Sequence, residues 1–144
     1  MADGAQAAAP FPFEIERGKV REFIRATHGA EATYAEGHVP PTFLAVASGW
    51  WGPSWEEPGD SPLAAVGVDA GNLLHLEERY ELHRPLRVGD RLTGHLELLD
   101  PEEKVGRRAG RMTIYTTRTV FRDEQGAVVA EARQVVAHVT GQPG

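Results

Sequence analysis

The chain contains no cysteine. That excludes disulfides, thiolate metal sites and a cysteine nucleophile. It has no excess of positive charge either. Fifteen Lys and Arg stand against 21 Asp and Glu, a formal net charge of -6 at pH 7. A nucleic-acid binder needs a basic face, so that class is set aside. No apolar run approaches the roughly 20 residues needed to span a bilayer. Met1 to Ala9 lack a basic start and a long apolar core, so they do not read as a signal peptide. No repeat or linker interrupts the sequence. What is present is 144 residues, 41% hydrophobic and 25% charged. This is the composition of one globular domain with its own core. It predicts a soluble, cytoplasmic protein.

Residues 1–10 are small and polar and end at Pro10. They are expected to form a flexible tail, as are residues 141–144, leaving 11–140 as a single domain. Val20, Phe23, Ile24 and Thr27 fall at i, i+3, i+4 and i+7, which predicts a helix over Glu16 to Thr27. Residues 28–40 read as a loop. A second helix is expected to start at Pro41 or Thr42, because proline suits a first helical turn. Its run from Phe43 to Trp50 is apolar nearly all round, as in a buried helix. Residues 51–72 are rich in Pro and Gly and read as a long loop with one short helical turn near 62–66.

From Leu73 onward the period becomes two. Strands are expected over about 73–83, 92–98, 112–121 and 127–139, with a hairpin turn at Arg122 to Gly126. A further strand near Phe11 to Ile15 fits the same pattern. Strands grouped after helices predict an α+β fold, with helices on one face of an antiparallel sheet.

Several segments resemble the N-terminal-type domain of MaoC-like dehydratases, also called the fungal fatty-acid-synthase-like dehydratase domain. Phe13-Glu14-Ile15-Glu16-Arg17-Gly18 is similar to its opening. Val39-Pro40-Pro41-Thr42-Phe43 is similar to the approach to its central helix. The run from Leu74 to Asp90, with Tyr80-Glu81-Leu82-His83-Arg84-Pro85 and Val88-Gly89-Asp90, resembles its first long strand pair. Lys104-Val105-Gly106-Arg107-Arg108-Ala109-Gly110 resembles its next hairpin. The likeness covers about residues 11 to 140. It implies a hotdog fold, in which an antiparallel sheet wraps a central apolar helix. It also implies acyl thioesters of coenzyme A or acyl carrier protein as substrates. Water would be added to a trans-2-enoyl group or removed from an (R)-3-hydroxyacyl group. No cofactor or metal is implied.

Active members of that family carry an Asp, and a His five positions later, in the loop before the central helix. By the resemblance those places fall on Gly29 and Tyr34, so both members of the pair are missing. The expectation is therefore an acyl-binding subunit. It would form a homodimer, or a heterodimer with a catalytic MaoC-like subunit. A half-hotdog exposes a sheet edge, which also argues for a dimer. The alternative is a self-sufficient hydratase with a displaced pair drawn from His28, Glu31 and His38, which lie close together on one loop. A carboxylate and an imidazole can do acid–base work near neutral pH. The plain reading of those three is a solvated loop. A hotdog thioesterase, with Glu31 or Glu36 activating water, and a non-enzymatic acyl-binding protein complete the alternatives.

Candidate substrate-binding residues are Tyr34, Pro41, Thr42, Phe43, His75, Arg107 and Arg108. His75 is expected on a strand facing the central helix, sharing a side with Glu77 and Arg79. Lys104, Arg107, Arg108 and Arg111 form a basic cluster that can meet phosphate or an acidic carrier protein, or can simply be a solvated hairpin tip. Trp50, Trp51 and Trp55 are candidates for the wall of an acyl tunnel, with core packing as the plain reading.

Overall fold

The computed structural model describes residues 6–30, 32, 35–47, 61–108 and 110–140. Alternating residues build one antiparallel sheet of seven strands: β1 (Gln6–Ala7), β2 (Phe11–Glu14), β3 (Leu73–Leu82), β4 (Arg91–Leu98), β5 (Glu102–Gly106), β6 (Gly110–Arg122) and β7 (Val128–Val139). The order is β1-β4-β6-β7-β3, with β2 also beside β4 and β5 beside β6. Among the described residues, the helices with defined bounds are α1 (Arg17–Ala26) and a single turn, α2 (Pro62–Ala65). Between them a 3-10 turn at Pro41–Leu44 continues as helical backbone to Ala47. None of the helices among the described residues is long and apolar enough to cross a membrane.

The inner sheet face is made by period two. Leu92, Phe121, Ala130 and Ala132 point inward from β4, β6 and β7 and pack with Phe43, Leu44 and Ala47 of the central helical segment. Phe43 is fully buried, stacked on Phe13 with ring centroids 6.0 Å apart and edge-on to Phe23 at 5.5 Å. Val20 and Ile24 of α1 close the same core. The fourth residue of the α1 stripe, Thr27, is not buried; it is the C-cap, and its hydroxyl donates to the Phe23 carbonyl at 2.8 Å. A second cluster of Leu63, Leu98, Tyr115 and Val136 seats α2 on the sheet.

The connection from β3 to β4 is tied to the start of the domain. Arg84 forms a two-pronged ion pair with Asp90 at 2.8 and 3.1 Å. Asp90 also accepts from the Arg87 N–H at 2.9 Å, and Gly89 takes φ 94°, a left-handed backbone that glycine adopts without strain. The Gly89 N–H donates to the Ile15 carbonyl at 2.8 Å, while the Ile15 N–H donates to the Asp90 carbonyl at 2.9 Å. The start of β4 is thereby fixed beside the end of β2.

Two strands depart from the sequence expectation. Part of the segment read as a tail is paired: Gln6 and Ala7 lie opposite Leu98 and Glu97. β5 pairs only with β6 among the described residues, and most of its residues are exposed. Both strands are held by backbone bonds at a sheet margin, where apolar side chains are not required.

Candidate functional site

The inner face of the sheet and the central helical segment do not close on one another completely. A cleft lies between them, lined by Phe11, Leu44, Ala47, Pro62, Leu63, Leu96, Phe121 and Ala132, with Ser61, Glu78, Thr117, Thr119 and Gln134 supplying the polar groups. A mostly apolar cleft with a few convergent polar side chains is the usual form of a small-molecule site. Strand alternation delivers these residues: Thr117, Thr119 and Phe121 are spaced by two on β6, and Ala132 and Gln134 on β7.

The polar groups gather at β3 because of a bulge. In the β3–β7 register, His75 opposes Val136 and Glu77 opposes Val135, so Leu76 is skipped. His75 therefore shares a face with Glu78 and Tyr80, and not with Glu77 and Arg79 as simple alternation predicts. Its Nε2 lies 3.0 Å from Glu78 Oε2 and 3.2 Å from the Glu77 carbonyl. Both neighbours only accept, so Nε2 carries the proton and donates. The Gln134 side-chain amide donates to the same Glu78 oxygen at 3.1 Å. Tyr80 completes the group. Burial, then the nearby Glu78 charge, then a hydrogen bond to it hold the Tyr80 phenol well above its ordinary pKa. A carboxylate against an imidazole can hold or move a proton. Its lone pairs can equally grip a ligand's donor.

Of the loop residues proposed for a displaced pair, the structure describes His28 and His38. His28 is the C′ residue of α1, at φ 55°. The His28 N–H donates to the Arg25 carbonyl at 3.2 Å and the Gly29 N–H to the Ile24 carbonyl at 2.7 Å, the pairing that ends a helix with a left-handed residue. His38 pairs with Glu36 at 3.2 Å, both side chains mostly exposed, and forms an isolated bridge with Arg87. No contact among the described residues joins His28 to His38. Glu31 and Tyr34 lie outside the described residues, as do Trp50, Trp51 and Trp55.

Gly29 sits where the resemblance puts the missing acid. A Cβ there would meet Ile24 Cγ2 at 3.0 Å and the Ile24 carbonyl oxygen at 3.3 Å. The helix end is built around a glycine.

Of the other expected contacts, Pro41 and Thr42 are exposed at the start of the central segment, and Phe43 is turned into the core. Leu44 and Ala47 line the cleft in its place. Arg107 and Arg108 are exposed on the turn from β5 to β6, and Lys104 pairs with Glu102 at 3.4 Å. His75 reaches the cleft through Glu78. Glu78, Tyr80, Gln134 and the two threonines were not among the candidate site residues of the sequence. Gln134 carried a signal: it is the polar member of the inward series Ala130, Ala132, Gln134, Val136.

Comparison with known proteins extends this picture. Residues 3–132 match the family described as FAS1-like, dehydratase domain region. A UPF0336 protein of Parafrankia sp. (strain EAN1pec) is 31% identical over 156 residues, covering 97% of this chain and 94% of that one. The C-terminally truncated HadBC (3R-hydroxyacyl-ACP dehydratase) complex of Mycobacterium tuberculosis has a chain of similar fold. Its TM-score is 0.66 at 21% identity, over 95% of this chain and 98% of the other. A structure described as a MaoC-like dehydratase gives TM-score 0.66 at 26% identity, over 91% of this chain and 40% of that one. With its α+β sheet, central helical segment and cleft, the chain belongs to the FAS1-like dehydratase-region family, among the hotdog-fold MaoC-like proteins.

Proposed function

We propose that this chain is the acyl-binding subunit of an (R)-3-hydroxyacyl-thioester dehydratase or enoyl-thioester hydratase. Its substrate would be carried on coenzyme A or acyl carrier protein. A MaoC-like partner subunit would supply the Asp and His. The observation that carries this reading is an apolar cleft in a chain with a glycine where the resemblance puts the acid. The apolar lining suits an acyl chain. Gly29, at the acid's place, is held in the helix-ending turn with little room for a side chain. That a similar fold occurs in the HadBC complex supports pairing with a second subunit. The exposed Arg107 and Arg108 suit the phosphates of coenzyme A or the acidic face of a carrier protein.

The test is hydration of crotonyl-CoA by the purified chain, followed at the enoyl-thioester absorbance, together with binding of the same thioester by calorimetry. Binding without turnover is expected. Turnover by the chain alone that disappears in Glu31→Gln or His28→Ala would replace this reading with a self-sufficient hydratase. Failure to bind either a short or a longer enoyl thioester would overturn it.

A further inference from the structure

We infer that Glu78 makes the cleft selective for acyl chains that carry a hydroxyl group over plain alkyl chains. This rests on the acyl-thioester reading and specifies its substrate.

Glu78 lines a mostly apolar cleft, and its side chain is only 20% exposed. A carboxylate has about four acceptor sites. His75 and Gln134 fill two, both on Oε2. The group is thus held in place yet keeps acceptor capacity. A plain alkyl chain filling the cleft would strip the remaining water from it and give nothing back. Burying a charged acceptor without a donor is costly. A hydroxyl on the chain would replace that water with a charge-assisted hydrogen bond. Thr117 and Thr119 line the same cleft and extend the polar strip across β6. Gln134 and His75 both hold Glu78, so it cannot swing away cheaply when an alkyl chain enters.

The experiment is calorimetric titration of the full-length chain with hexanoyl-CoA and with its 3-hydroxy and 6-hydroxy derivatives. At least one hydroxylated ligand is expected to bind about tenfold tighter than hexanoyl-CoA. In Glu78→Leu that ratio is expected to fall to about one, because the acceptor is gone. Glu78→Gln keeps the size and a neutral acceptor, so a ratio of about threefold is expected there, and it guards against a Leu variant that does not fold. Three results overturn the inference. The three ligands bind the native chain alike, or the ratio survives both substitutions, or the substitutions weaken all three ligands by one factor, as a purely structural Glu78 would. Failure of the native chain to bind any of the three overturns the acyl-thioester reading itself.

Discussion

Tyr80 sits half-buried on β3, part of its ring against the core and its hydroxyl at Glu78. Ionising it would place a phenolate in a poorly solvated site beside a carboxylate. The folded protein therefore keeps the phenol neutral to a higher pH than the unfolded chain, whose phenol titrates near 10. The sign follows. Below about pH 10 both states are neutral here and the contribution is complete. Above it the unfolded state gains the free energy of ionisation and the folded state does not, so stability falls as pH rises. Urea unfolding between about pH 8 and about pH 11 measures this. Tyr80→Phe is expected to flatten part of the decline, since the other tyrosines and the lysines titrate in both proteins. An identical pH slope in the variant would show that Tyr80 is not held neutral. At this same scale His28 has a physical role that its proximity to Glu31 and His38 did not suggest. It occupies a left-handed position usually given to glycine, and it ends α1.

Among the elements, β2 and β4 depend on one close approach. Phe11 lies opposite Gly94 in the register, and a Cβ on Gly94 would stand 2.3 Å from Phe11 Cζ. The ring covers the glycine and meets Phe121 edge-on at 6.4 Å. Phe11 also lines the cleft. Gly94→Val is therefore expected to displace the ring at a cost of about 2–3 kcal/mol, read as a lower urea midpoint, and to weaken thioester binding. Adding Phe11→Leu should return part of the stability, because a smaller side chain leaves room for the new one. A Gly94→Val variant as stable as the native chain would mean that β2 does not pack as described. The strands β4, β6 and β7 were legible because each buries one face and so alternates, and β3 from its spaced leucines, although Leu74 and Leu76 are exposed. The helix α1 was legible from its stripe, and α2 from its Pro-led turn. β5 was not, since Glu102-Glu103-Lys104-Val105-Gly106 faces water and carries no apolar series. Nor was the site. Leu76 fits simple alternation, and only the backbone bulge after His75 turns that imidazole toward Glu78. A bulge is a matter of register between two strands, which a single strand's pattern does not contain.

For the whole molecule, the margin of the sheet decides whether the chain can stand alone. Among the described residues β3 pairs only with β7, and no strand lies on its other side. Leu74 and Leu76 on that strand are 51% and 55% exposed. A long strand edge with apolar side chains invites pairing with another chain unless something covers it. The same strand carries His75, Glu78 and Tyr80, so a chain docked at β3 would lie beside the polar wall of the cleft. On the proposed function that would link association to the site: a partner covering this edge would also be placed to bring groups toward the cleft. The native protein is expected to be dimeric at micromolar concentration by light scattering, either with itself or with a catalytic partner present in the preparation. Leu74→Lys combined with Leu76→Lys puts two charges on the edge and is expected to shift the protein to monomer without unfolding the core, because neither side chain is buried. A monomeric native chain would remove the argument for a partner at this edge. A double variant that stays dimeric would move the interface to another part of the sheet and separate it from the Glu78 wall.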